Sequence, residues 1–397
     1  MEDPKQRLTT CVSTPELERR WKAVREQMKA RKIDYLVMQN SEEYMGGTIR
    51  WFTDFTARHQ FPVSVIFPVD DEMATIVCGN DPPLDNWPPP FASRGIKKKL
   101  GHVYFSTFQF TQYYDAELAV SVLKEKKNPV VGWVERTTIP VTFHEYIVKN
   151  LPGATFIDAT DWVDEIRVPK SPEEIDLLRR CACMQDECMQ ALKKIIKPGM
   201  RDIDVYAEAH CFLSRHGSER GLVQVGSGPL GTFVPFDVPH FQNRTIKEGD
   251  QVTVLVEVNG PGGYYTELMR VYIVGAEPTP LLQEAQALGI EAQDMTVKGL
   301  VTGGVPGDVW RNFSQFCIKN GYAPPTRSFG HGQGQSLVDR PSLRPDEPWI
   351  IKPNMNIAVH PIMVKPGQVF CPCCDNYLTT SGAAERLHKF PRELVVI

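Results

Sequence analysis

Glu257 and Glu267 flank a Gly-Pro-Gly-Gly turn in the stretch VEVNGPGGYYTELMRV, from Val256 to Val271. The runs on either side read as strands, so the turn closes a hairpin that holds two carboxylates across from one another. Such carboxylates grip a cation or share a proton, because two like charges in a shielded site cannot both ionise uncompensated. Further along, His331 sits in SFGHGQG, His360 in VHP and Cys374 in CDN, and all three side-chain types ligate zinc or iron. His240, in VPHF, adds an imidazole whose ordinary pKa of about 6.5 lets it take and return a proton near neutrality. The plain alternative for His240 is a structural histidine beside a proline.

These residues need a scaffold, and 397 residues suggest two domains rather than one core. Helical periodicity runs from Pro15 to Ile33, with Ser13 and Glu16 spaced as a capping box. Apolar runs then alternate with helix-like segments: YLVMQ, VSVIFPV, MATIVCG, HVYFST, VVGWV and ATFIDA, with DAELAVSVLKEKK among them. That pattern predicts an α/β N-terminal domain over residues 1–165. The second half, 166–397, opens on a long core helix capped by Ser171, Pro172 and Glu174, followed after Pro198-Gly199 by a helix from about Ile203 to Arg215. Strands are expected at about 251–258 and 264–274, a helix near 281–300, and further strands around 356–364 and 376–380. The glycines of QVGSGPLG look like a phosphate cradle, but no P-loop lysine follows, and a tight loop lining a cleft is expected instead.

A net charge of −4, with no long basic or acidic run, points away from nucleic acid and membrane surfaces. No apolar run marks a signal peptide or a membrane span, so a cytoplasmic protein is expected. The ten cysteines are read as thiols, Cys181, Cys183, Cys188 and Cys78 as buried ones, and CPCC at 371–374 has no partner pair for a zinc knuckle.

Five anchors occur in order: VPHFQNRTIKEGDQV, the two-glutamate hairpin, SFGHGQG, NMNIAVHPIMV and CDNYLTTSGAAERL. Their order and wording resemble the pita-bread family of creatinase, prolidase, aminopeptidase P and methionine aminopeptidase. The resemblance implies an α/β N-terminal domain followed by an α+β pita-bread (creatinase/aminopeptidase-like) C-terminal domain. The family's peptidases hold two metal ions on two aspartates, a histidine and two glutamates. The matching positions here are Glu257, Glu267, His331, His360 and Cys374, so only His331 is the expected residue, and Val338 stands where a further histidine assists peptide cleavage.

With a histidine where a bridging carboxylate should hold both ions, a dinuclear site is not expected. Two options stay open: a metal-free pocket in which the glutamates share a proton beside Arg270, or one zinc or iron ion on Glu257, Glu267, His331 and His360. The metal-free option is preferred, with peptidase activity lost. The resemblance also makes His240 the general acid/base and implies a homodimer whose site is completed across subunits, Arg58 and His59 entering from the partner. Arg58, His59, Arg270, Phe55 and Cys374 are the expected substrate contacts. The aromatic-rich first domain, including Phe55, leads to an expected metal-independent lyase on an aromatic small molecule, such as a lignin-type dimer losing formaldehyde. A creatinase-like C–N hydrolase is the alternative, ahead of a mononuclear metallohydrolase or a catalytically dead binding module.

Overall fold

The computed structural model describes residues 11–55, 57, 61–79, 92–103, 112–236 and 243–397. They divide into two compact units that meet in sequence between Arg167 and Val168.

In the first unit the elements run α1 (Thr14–Arg31), β1 (Tyr35–Asn40), α2 (Gly47–Thr53), β2 (Val63–Pro68), β3 (Met73–Cys78), β4 (Ile96–His102), α3 (Tyr114–Leu123), β5 (Val130–Trp133), α4 (Val141–Asn150), β6 (Thr155–Asp158) and α5 (Thr160–Arg167). The six strands form one mixed sheet ordered β4-β3-β2-β1-β5-β6. Ser13 caps α1 by accepting from the Glu16 backbone N–H at 3.2 Å, while the Glu16 carboxylate is held by Arg19 and Arg20. Ala116, Ala119 and Leu123 of α3 and Phe143 and Ile147 of α4 pack on Val37, Ile66, Ile76 and Val131 of the sheet. Of the strand read at HVYFST, residues 104–107 lie outside the described residues; β4 ends at His102 and is built from the lysine-rich IKKKLGH that lacks an apolar signature.

In the second unit the elements are α6 (Pro172–Ile195), α7 (Asp202–Arg215), β7 (Gly221–Pro229), β8 (Asp250–Asn259), β9 (Tyr265–Ile273), α8 (Pro280–Gly299), α9 (Pro306–Lys319), β10 (Gly330–Gly332), β11 (Asp339–Ser342), β12 (Asn356–Val359), β13 (Ile362–Lys365), β14 (Val369–Pro372), β15 (Asp375–Leu378), β16 (Glu385–Arg386) and β17 (Val395–Val396). Ser171 and Glu174 form the full reciprocal capping box that starts α6. One sheet is ordered β17-β9-β8-β7 and another β11-β10-β12-β15-β16, with β13 and β14 as a separate pair. Helices α6 and α7 cover the first sheet through Cys181, Cys188, Leu192, Val205 and Leu213, and α8 and α9 pack with Ile357, Val359 and Tyr377 of the second. Of the glycines expected to form a loop, Gly226 and Gly228 lie in β7, each paired with β8, so strand pairing overrode their low β-propensity, while Gly231 follows the strand in a turn. All ten cysteines are free; Cys181 and Cys188 are buried as expected, whereas Cys183 is exposed on the outer side of α6.

Candidate metal centre

Strand alternation aims the two glutamates. On β8, Val254, Val256 and Val258 belong to the core beneath α6 and α7, while Leu255 belongs to a small cluster with Met269, Ala358 and Cys374. Glu257 shares the parity of Leu255, so it points to that second face. The antiparallel register sets Glu257 directly opposite Glu267, which shares the parity of Met269. The turn that fixes this register needs glycine: Gly262 sits at φ 66, in the left-handed region.

The opposing sheet delivers the histidines. His331 of β10 is in register with Ala358 of β12, and Ala358 with Asn376 of β15, so the three form one row across the sheet. His360 follows β12 directly, and its backbone N–H donates to Phe329 O at 3.0 Å, which ties it beside β10. Gly332 permits the close approach of β11, since a Cβ there would lie 2.1 Å from Arg340 O.

Glu267, His331 and His360 each offer one ligand atom, and these atoms lie within 4.8 Å of one another. The two rings meet edge to face with centroids 5.4 Å apart. His331 Nδ1 lies 3.0 Å from the Gly332 carbonyl, which can only accept, so Nδ1 carries the proton and Nε2 keeps its lone pair for the site. Nε2 is 3.5 Å from Glu267 Oε2, a buried oxygen with no hydrogen-bond partner. A buried carboxylate oxygen left bare is costly unless a cation or proton meets it. Burial pushes His331 down to about 4 and His360 well below its ordinary value, with neighbouring positive charge adding to both. Burial pushes both glutamates up, and Glu257 is raised further by the Glu267 charge. Two neutral imidazoles and one carboxylate fit a single zinc or iron ion.

Glu257 does not join this trio. Its Oε1 accepts from Gln333 Nε2 at 2.7 Å and lies 3.9 Å from His331 Nε2, while no described residue bonds Oε2. The four-ligand alternative is therefore reduced to three. Cys374 is fully buried, donates toward Glu267 O at 3.6 Å, and is pushed well above the ordinary thiol range by burial and then by the Glu267 charge. Among the described residues, no second convergent set of ligand atoms accompanies the trio.

Arg270 is not a substrate contact. Its guanidinium is 1% exposed, and all its N–H groups are spent on Pro391 O, Met269 O, Cys374 O, Phe390 O and Asp375 Oδ1. Three residues from Glu267 along a strand, it points to the opposite face, where it lies over Phe390. Phe55 is a nearly buried residue of the first unit. Arg58, His59 and His240 lie outside the described residues. Val338, in the position of the missing histidine, is 38% exposed. Gln333 and Asn376 were missed in sequence, since amides offer no titratable signal; exposed Arg327, whose positive charge reaches Glu257, Glu267, His331 and His360, was missed too.

Residues 176–382 match the model of metallopeptidase family M24, and residues 20–168 match that of the creatinase/prolidase N-terminal domain. A Sinorhizobium fredii protein named uncharacterized hydrolase/peptidase y4tL is 26% identical over 393 residues, 96% of this chain and 97% of its own. The Xaa-Pro dipeptidase of Pyrococcus furiosus is 24% identical over 305 residues, 71% of this chain and 85% of its own. The solved structure of an Xaa-Pro dipeptidase from Bacillus anthracis shares the fold, with a TM-score of 0.74 over 97% of this chain and 100% of its own at 21% identity. These findings overturn the metal-independent aromatic lyase: the matching family is one of metallopeptidases and its named relatives are peptidases and dipeptidases. The expected loss of peptidase activity and the expected absence of a metal fall with it, the latter also against the Glu267, His331 and His360 trio. The chain belongs to metallopeptidase family M24 and pairs a creatinase/prolidase N-terminal domain with the pita-bread fold.

Proposed function

We propose that the chain is a metal-dependent amide hydrolase that cleaves dipeptides or similarly short amides, with one divalent ion held by Glu267, His331 and His360. The observation that carries this reading is the bare, buried Oε2 of Glu267 facing two neutral imidazoles whose ligand atoms lie within 4.8 Å. A zinc or iron ion so held supplies Lewis acidity toward an amide carbonyl and toward water. Glu257 takes the proton of the attacking water on Oε2 and returns it to the leaving nitrogen, so the C–N bond breaks as the new C–O bond forms. Arg327 adds a positive charge in the loop just before β10 that favours a substrate with a free carboxylate. His240 is the proposed partner in proton transfer, and a homodimer with Arg58 and His59 reaching the neighbouring site is the proposed assembly, both on the family resemblance.

The test is amino-acid release from a panel of Xaa-Pro and non-proline dipeptides by protein loaded with zinc or iron. Release that a chelator abolishes and the ion restores is expected. Loaded protein that cleaves no member of the panel would overturn the reading.

A further inference from the structure

Gln333, Asn356 and Asn376 are at most 1% exposed, and Gln333 and Asn376 link the Glu257 carboxylate to the Glu267 backbone N–H. The hydrogen bonds among them have a direction that one atom fixes. The Glu267 backbone N–H can only donate, and it meets Asn376 Oδ1 at 2.6 Å. Asn376 must therefore turn its Nδ2 to the other side, where it donates to Gln333 Oε1 at 2.8 Å and to Asn356 Oδ1 at 2.9 Å. Gln333 in turn must present Nε2, which donates to Glu257 Oε1 at 2.7 Å and to Leu337 O at 3.0 Å. Asn356 Nδ2 ends on Tyr265 O at 3.2 Å and Gln333 O at 3.4 Å, so it cannot reverse without losing two acceptors. None of the three amides is free to flip, and Oε1 of Glu257 faces a donor.

We infer that Gln333 and Asn376 are positioning residues: they tie Oε1 of Glu257 to the Glu267 backbone, which holds that carboxylate off the metal trio and leaves Oε2 as the oxygen that exchanges protons with substrate. This rests on the proposed role of Glu257. A chain serving stability alone would have no such selectivity, because losing it would affect every ligand of the site alike. Glutamate at position 333 would repel Glu257, and leucine would leave Oε1 unpartnered and free to rotate.

The experiment compares two small ligands on the zinc-loaded protein by calorimetry. Acetohydroxamic acid must give a proton to a nearby base as it docks on zinc, whereas acetate gives none. In Gln333→Leu the bound zinc and the acetate affinity should stay within about twofold, while hydroxamate binding weakens about 10–100-fold, the usual range for loss of an outer partner. Dipeptide kcat should fall by a similar factor with KM little changed. Asn376→Asp keeps the acceptor for Glu267 N–H but cannot donate to Gln333, and it should give the same pattern if the leucine variant does not fold. Hydroxamate and acetate weakening together, neither weakening, or zinc lost only in the variants would each overturn the inference. Wild-type protein that holds no zinc or iron would instead overturn the metal reading beneath it.

Discussion

Replacing Arg270 by alanine should damage stability far more than substrate binding. The guanidinium is 1% exposed and Asp375 is 0% exposed, so the pair at 2.9 Å is fully desolvated. Breaking a buried pair by removing one partner costs about 3–5 kcal/mol. The lower half of that range is expected, because Arg386 still reaches Asp375 Oδ1 at 2.8 Å and Gln293 reaches Oδ2 at 3.1 Å. Four backbone carbonyls, of Met269, Cys374, Phe390 and Pro391, also lose one hydrogen bond each, although Cys374 O keeps the Met269 N–H and Phe390 O keeps Arg386. At roughly 2–4 °C per kcal/mol for a domain of this size, Tm should fall by roughly 6–16 °C. Calorimetric melts at fixed metal loading, beside dipeptide KM, provide the assay. Arg270→Lys keeps the charge but not the planar fork, so it should be nearly as unstable. A raised KM with Tm within about 2 °C of wild type, rescued by lysine, would refute the reasoning and return Arg270 to substrate binding.

Glu257→Gln should retain the ion and lose about 10²–10⁴ in kcat, whereas Glu267→Gln should lose the ion itself; elemental analysis beside kinetics separates them. Arg327→Ala should raise KM by about 3–10-fold for a dipeptide with a free carboxylate and much less for its C-terminal amide, and the difference should shrink with added salt. Although burial would raise Asp375, the Arg270 and Arg386 charges hold it below its ordinary value. A depressed carboxylate contributes stability above its unfolded pKa of about 3.9 and loses it as pH falls through the folded value. The Tm gap between wild type and Arg270→Ala should thus be widest above about pH 4 and close under more acid conditions.

Much of the scaffold was legible because its signals are local. Ser171 and Glu174 announce α6, and the Gly-Pro-Gly-Gly turn fixes the hairpin that opposes Glu257 and Glu267. The trio was less legible because it depends on register between strands distant in sequence: His331 meets the hairpin only through its row with Ala358 and Asn376. Glu257 and Glu267 look equivalent in sequence, and only the amide chain from Asn376 through Gln333 makes them different. Arg270 was readable but misread, since an offset of three from Glu267 means the same face in a helix and the opposite face in a strand. The metal-free expectation followed from counting departures at five positions, whereas the geometry brings the ligand atoms of Glu267, His331 and His360 within 4.8 Å of one another.

Metal content per subunit tests the central claim most directly. Protein purified without chelators or a metal-affinity column should carry about one zinc or iron per subunit, and Glu267→Gln or His360→Ala prepared in parallel should carry none. About two ions per subunit, or wild-type content no higher than in those variants, would contradict a single-ion site on Glu267, His331 and His360.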